Sequence, residues 1–258
     1  FHLTSGLRHF SLARFCLQRF DLIVPVSKAV TAQLQSVLSS NVALQQRYLG
    51  TFRHQRELQL LIKSRPQIRH NLKLPKEVFV VGSTLFDHPV KGLDTLLEGF
   101  SSTALKNRSM HLLVIGIEPS LPLQEKLSRL GLGEDRVTLT GIVDNAVELL
   151  PAIDLYVQPS RQEALGLALV EAASLGLPLL GSDVGGIPEV IKPGYNGELF
   201  EPGHPQQLAG KLLHLASQPE LCAEYGANSR QLWAQRFDGN ANLARTAAVI
   251  NDAAKQRK

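Results

Sequence analysis

From residue 77 onward the chain switches repeatedly between two hydrophobic patterns. Short runs in which nearly every position is apolar fall at Val78–Gly82, Leu112–Gly116, Val137–Thr140, Leu155–Gln158, Leu179–Ser182 and Gly197–Phe200. Between them lie stretches of helical pattern at about 92–103, 120–131, 144–151, 165–175, 187–192 and 205–217. The short runs read as parallel strands covered on both faces, which need no polar side. The alternation predicts an α/β fold with a doubly wound parallel sheet, Rossmann-like in character. Ligands of such sheets bind outside the carboxyl ends of the strands. Gly82, Gly116, Gly141 and Ser160 follow predicted strand ends and are expected on one rim.

The flanks differ. From Pro219 the pattern predicts two helices, broken near Asp238-Gly239. Leu7–Phe20 reads as a basic, aromatic helix carrying Arg8, Arg14 and Arg19. Such a helix could lie on an anionic membrane or pack on a neighbour with its charges in water. Asp21–Val26 reads as a short strand, and Ser27 as the N-cap of a helix to about Leu38. Residues 40–76 are rich in Gln and Arg, show little pattern and read as a connecting region.

Composition narrows the classes. The 258 residues are 44% hydrophobic, which is ordinary for a globular chain with a sizeable core. Cys16 and Cys222 lie far apart, suggest neither a disulfide framework nor a zinc site, and fit a reducing cytosol. The net charge of +4 admits anionic ligands or membrane surfaces without implying nucleic acid. No apolar run reaches membrane-spanning length, and no signal peptide is visible. Phe1 in place of an initiating Met reads as a cut or processed end.

The chemistry concentrates in Ser160–Glu189, SRQEALGLALVEAASLGLPLLGSDVGGIPE. A helix is expected from about Leu165 to Leu175, closed by Gly176, with Glu163 just before it and Glu171 inside it. Eight residues at ~100° each put the two carboxylates about 80° apart in projection, so both can border one pocket. The N–H groups near Gly166 lack intrahelical partners, and the helix dipole points outward there, which suits a phosphate. Paired glutamates also fit a solvated face. Against that, Glu171 lies in ALVEAASLGLPLL, where a carboxylate is costly unless something pairs with it.

Further candidates follow the other strands. In VFVVGSTLFDHPVKGLDTLLEGF, Lys91-Gly92 opens a helix, and a lysine there adds a full charge to the helix's partial one. The turn after Val137–Thr140, at Gly141-Ile142, offers backbone groups to a nucleobase or is an ordinary strand end. Ser182–Glu189 is a glycine turn entering a helix with Pro188 near its start. The chain lacks G-x-G-x-x-G after the first strand of this region, a P-loop, H-E-x-x-H and a D-x-D pair, and its eight His are scattered.

In order over about residues 20–237, these fragments resemble glycosyltransferase family 4, retaining nucleotide-sugar transferases of the GT-B fold. The resemblance is carried by DLIVPVSKAV, FVVGS…KGLDTLLEGF, HLLVIG, DRVTLTGIV, the block IDLYVQPSRQEALGLALVEAASLGLPLLGSDVGGIPEVI, GYNGELFEPGHPQQLAGKL, Asn228–Arg230 and Arg236-Phe237. Glu163…Glu171 matches the family's E-x7-E motif, the most specific of these. The resemblance implies that 1–40 ends an incomplete acceptor domain, 41–76 connects, 77–237 binds the donor and 238–258 is a C-terminal helix. It implies Glu163 near the donor sugar and reacting centre, Glu171 on the ribose hydroxyls, and Ala164, Leu165, Gly166 and Leu167 on sugar and phosphate. Lys91, with Gly82 and Ser83 nearby, would face the diphosphate, and Thr140, Gly141 and Ile142 the base. It implies no metal and no cofactor beyond the donor substrate, and a glycan, lipid or small-molecule acceptor. The cysteines place the chain in the cytoplasm, and one reading of the basic helix adds peripheral contact with the inner membrane face.

Two departures stand out. The family usually carries Arg directly after the glycine at Gly82, where this chain has Ser83, with His88 the other candidate cation before Lys91. The resemblance implies an acceptor domain of which only the end, roughly residues 1–40, is expected here, so this chain alone is expected to bind a nucleotide sugar and turn it over poorly. A non-catalytic nucleotide-sugar-binding or partner module is the alternative. A GT-B epimerase fits the E-x7-E block less well.

Overall fold

A computed structural model describes residues 15–38, 42–106 and 109–255. The predicted helix Leu7–Phe20 lies outside the described residues up to residue 14; Phe15, Cys16 and Leu17 are helical and then the chain turns. Strand β1 (Leu22–Ile23) pairs in parallel with β2 (Ala43–Leu44). The pairing continues as isolated hydrogen bonds, Gln45 N to Ile23 O and Arg47 N to Pro25 O. Helix α1 (Lys28–Val37) starts where expected, because the Ser27 Oγ accepts from Val30 N at 3.1 Å.

The 40–76 region is not the patternless connector that the sequence suggests. It holds helices α2 (Gln55–Lys63) and α3 (Arg65–Asn71). Leu58 is fully buried, and Leu61, Ile68 and Leu72 pack on the same core. This stripe keeps helical spacing, but Ser64-Arg65-Pro66 divides it between two short helices, so no single window shows it.

Six parallel strands form the main sheet: β3 (Phe79–Thr84), β4 (Met110–Ile115), β5 (Val137–Leu139), β6 (Leu155–Gln158), β7 (Leu179–Ser182) and β8 (Gly197–Phe200). Their spatial order is β5-β4-β3-β6-β7-β8. In chain order within this sheet that is 3-2-1-4-5-6, the doubly wound order, and the winding reverses between β3 and β6. A crevice at the carboxyl ends of those two strands is the expected ligand position.

The period of two along each strand splits the core into two layers. Val81, Leu112, Val114, Leu155, Val157 and Leu180 meet α4 (Leu93–Lys106) and α8 (Pro205–Ala216). Val80, Leu113, Ile115, Tyr156 and Leu179 face the opposite layer. There they meet Val170 and Ala173 of α6 (Leu167–Ser174) and Trp233 of α9 (Pro219–Arg236). The remaining helices are α5 (Leu121–Arg129), α7 (Ile187–Val190) and α10 (Gly239–Lys255). The break expected near Asp238-Gly239 separates α9 from α10.

The helix expected at 144–151 is instead a pair of 3-10 turns, Ala146–Glu148 and Leu150–Ala152. Pro151 has no N–H to give and would clash with the carbonyl four residues back. Strand β3 also outruns its prediction by two residues. Gly82 therefore lies inside the strand rather than at its end. A Cβ there would sit 2.2 Å from the Ile153 side chain, so close packing demands the glycine.

Leu113 lies on a fully covered strand in the layer that supports α6. Leu113→Ala is expected to lower unfolding free energy by about 2–5 kcal/mol through lost burial and a cavity. Urea denaturation that shows less than about 1 kcal/mol would contradict this packing.

Candidate active site

Two loops face each other where the strand order reverses. One follows β3 and carries Lys91; the other follows β6 and carries Glu163. Their side chains meet, with Lys91 Nζ 2.8 Å from Glu163 Oε2. Both are mostly covered, at 15% and 12% side-chain exposure, so the pair is far more than a solvated surface contact.

The Lys91 loop is built by local rules. His88 Nδ1 accepts from Val90 N at 3.2 Å and opens a 3-10 turn over Pro89–Lys91. Gly92 then takes φ 70°, where a Cβ would stand 2.0 Å from the Pro159 carbonyl oxygen. Lys91 thus precedes α4 across this tight glycine and does not open the helix itself. The Lys91 ammonium also lies 4.9 Å from the Phe86 ring centroid, a cation–π distance.

Arg161 fastens the two loops together. Its guanidinium donates to both oxygens of Asp94 at 2.8 and 2.6 Å and to the Pro89 carbonyl at 2.9 Å. Its backbone N–H donates to Val90 O at 2.7 Å. The Arg161 contact holds the Asp94 carboxyl below the ordinary carboxylate range, and Asp94 in turn raises Arg161. Neither residue was singled out in the sequence, since nothing local marks an ion pair between positions 67 apart.

Glu163 is also held from below. The Ser160 hydroxyl donates to Glu163 Oε2 at 3.3 Å and accepts from Gln158 Nε2 at 2.8 Å. The Tyr156 hydroxyl donates to Gln158 Oε1 at 3.3 Å and accepts from Thr84 N. Burial raises the Tyr156 phenol, so it stays neutral and remains a donor. Behind the loop, the Gly186 N–H donates to the Glu163 carbonyl at 3.0 Å. A Cβ at Gly185 would meet that same carbonyl oxygen at 1.9 Å, and Gly185 holds φ 56°. The glycine turn at 185–186 is therefore the backing of the site.

Gly166, at φ 86°, is the N-cap of α6. The helix begins at Leu167, two residues later than expected; Glu163 lies before it, as expected, so a helical projection angle does not describe the pair. Glu171 sits one turn into α6. Burial raises its carboxyl, and the nearby Arg53 charge opposes this in part. Arg53 itself donates to Asn145 Oδ1 at 3.2 Å.

A cavity of about 470 Å3 gathers Lys91, Glu163, Ala164, Leu165, Gly166 and Leu167. Glu171 does not line it. Ser83 is fully buried inside β3 and donates to the Val157 carbonyl at 2.7 Å, so its hydroxyl serves the sheet. Thr140, Gly141 and Ile142 stand on the next rim, where the Ile142 N–H donates to Glu118 Oε1 at 3.0 Å and Ile142 is 77% exposed. A second cavity of about 460 Å3 also borders Glu163, between Ala164 and Val184 on one side and Ile23, Val26 and Val30 on the other.

Two outcomes test this geometry. Gly185→Ala is expected to force the Glu163 carbonyl aside, lowering stability by about 1–3 kcal/mol. An unchanged melting curve would contradict it. For Glu171, burial raises the folded pKa above the ordinary carboxylate value, so the folded state keeps its proton over a pH range in which the unfolded state has lost it. Stability referred to Glu171→Gln should therefore fall as pH rises from about 4 to 7. A difference that stays flat over that range would contradict the burial of this carboxyl.

Residues 75–218, more than half of the chain, match the sequence profile of the glycosyl transferases group 1 family. N-acetyl-alpha-D-glucosaminyl L-malate synthase of Bacillus anthracis is 26% identical over 248 residues, covering 96% of this chain and 64% of that protein. The structure superposes on a sucrose-phosphate synthase of Thermosynechococcus elongatus with a TM-score of 0.83 at 22% identity, covering 98% of this chain and 63% of that one. HepE of Anabaena in complex with UDP gives a TM-score of 0.84 at 24% identity, covering 96% and 69%. The chain thus spans about two thirds of the length of these proteins. The fold is that of GT-B enzymes, and the chain belongs to the glycosyl transferases group 1 family.

Proposed function

We propose that this chain supplies the donor-binding half of a glycosyltransferase that moves a sugar from a nucleotide diphosphate to an acceptor with retention of configuration. The observation that carries the reading is the Lys91–Glu163 pair beside the N-terminus of α6, at the crevice where the strand order reverses. Lys91 is the one cation among the described residues lining that cavity. An incoming diphosphate would take Lys91 from Glu163, with the unpaired N–H groups of the first turn of α6 adding to the positive field. Charge that develops on the leaving phosphate is then met by fixed groups, which is how such sites lower a barrier without a metal. Glu163, released from Lys91, faces the sugar; Glu171 binds ribose hydroxyls; Thr140–Ile142 meet the base.

The acceptor reaches Glu163 from the second cavity, on the side of β1 and α1. Attack from the face that the leaving group vacates would retain configuration. Two free cysteines fit a cytoplasmic location. No helix among the described residues is long and apolar enough to cross a membrane. The exposed Phe15 and Phe20 beside Arg19 fit peripheral contact with an anionic surface.

The buried Ser83 favours a second reading, a nucleotide-sugar-binding module without turnover, since position 83 supplies no cation to the phosphate. Steady-state transfer separates the two. A thermal-shift panel of UDP-, GDP- and ADP-sugars is expected to show stabilisation by one base class. Lys91→Ala and Glu171→Ala should each weaken nucleotide binding by calorimetry, Lys91→Ala by roughly tenfold or more for loss of a charge-assisted contact. Unchanged affinity in both variants would sink the site assignment.

A further inference from the structure

Glu189 lies in α7, the short helix that follows the Gly185-Gly186 turn, and its carboxylate leaves the donor-binding core to hold a different element. Oε2 accepts from Lys28 N and Oε1 from Ala29 N, each at 2.9 Å, at the N-terminus of α1. The Tyr48 hydroxyl also donates to Oε2, at 2.8 Å. Arg236, the last residue of α9, donates to the Glu189 carbonyl at 3.1 Å and to the Tyr48 hydroxyl at 2.5 Å. Burial and the Glu189 contact raise the Tyr48 phenol, which keeps it a donor.

Two segments therefore meet on the Glu189 side chain, the start of α1 and Tyr48 of the 45–51 segment, while Arg236 at the end of α9 holds the Glu189 carbonyl and the Tyr48 hydroxyl. Nearby, the end of the 45–51 segment is stitched to the start of α10. Thr51 N donates to Phe237 O at 3.2 Å, Gly239 N to Thr51 O at 3.0 Å, and Trp233 Nε1 to Thr51 Oγ1 at 2.8 Å. The same glycine turn that presents Glu189 backs the Glu163 carbonyl. One wall of the second cavity is α1 and the other is the 162–164 loop.

We propose that Glu189 is the positioning residue that fixes α1 against the loop carrying Glu163 and so sets the width of the second cavity. The carboxylate is required, because both oxygens accept. A glutamine in its place would turn its NH2 toward at least one donor, Ala29 N–H or Lys28 N–H. The consequence for transfer rests on the function proposed above; the latch itself does not.

The test uses the 258-residue chain and two near-isosteric variants, E189Q and Y48F. Spin labels at Gln35→Cys on α1 and Gln206→Cys on α8, with Cys16→Ser, report the spread of distances between α1 and the main sheet. Hydrogen exchange reports local opening. Expected in E189Q are a broadened distance distribution and exchange of the 28–37 amides about tenfold faster, matching the loss of one bond to a charged group. Core amides of β3 and β6 should keep their rates. Y48F should loosen the same amides by less. An unchanged distribution with unchanged α1 exchange overturns the proposal. So does acceleration of the core amides together with α1, which would make Glu189 a support of the whole fold. Loosening in Y48F without loosening in E189Q would place the latch on Tyr48 and Arg236 instead. UDP and GDP affinities, measured alongside, should match the parent's in both variants, because the donor cavity lies on the other side of Glu163. Loss of nucleotide binding in the parent itself would remove the transfer reading and leave the latch standing.

Discussion

The site is organised by one ion pair. Lys91 and Glu163 come from loops on either side of the strand-order reversal, and both lose most of their water. Two charges withdrawn from water are tolerated only when their geometry is good and their other hydrogen-bonding groups are satisfied. The rest of the site meets those conditions. Arg161 locks the two loops in register, Ser160 gives Glu163 a second donor, and Gly185-Gly186 lets the turn behind it lie flush. Removing either charge strands the other in a partly dry crevice. The pair also sets what can enter: a ligand has to satisfy a cation and a carboxylate that until then satisfy each other.

The two glutamates of the motif are unlike. Glu163 has an ionic partner and a hydroxyl donor. Glu171 has burial, opposed in part by the Arg53 charge, and its carboxyl is raised accordingly. Two carboxylates of one motif, on either side of Gly166, therefore have unequal chemistry. One residue is tuned by contact, the other by loss of water.

Much of the fold was legible because parallel strands covered on both faces write themselves as unbroken apolar runs, and all six appear within a few residues of their predicted limits. The misreadings have local causes. Pro151 broke a helix that periodicity favoured, and Ser64–Pro66 hid a stripe running from Leu58 to Leu72. Lys91, Glu163 and Ala164 to Leu167 line one cavity, and Glu171 does not. Nor do Gly82 and Ser83, because β3 runs on past the glycine and turns the serine into the sheet. What the sequence could not show was side-chain partnership over long separations. Neither Arg161–Asp94 nor Glu189 with the start of α1 has any signal in neighbouring residues, since each depends on where the sheet brings distant loops.

The Arg161–Asp94 contact also bears on how this surface can change over generations. Arg161 lies inside the stretch that carries Glu163, while Asp94 belongs to α4, so the two are remote in the gene yet joined by paired hydrogen bonds. Either change alone leaves one charge without its counter-charge and frees the turn that aims Lys91. Sequences that drift at one of these positions should drift at both, and a pairwise record of substitutions would show them linked even where the neighbouring columns vary independently.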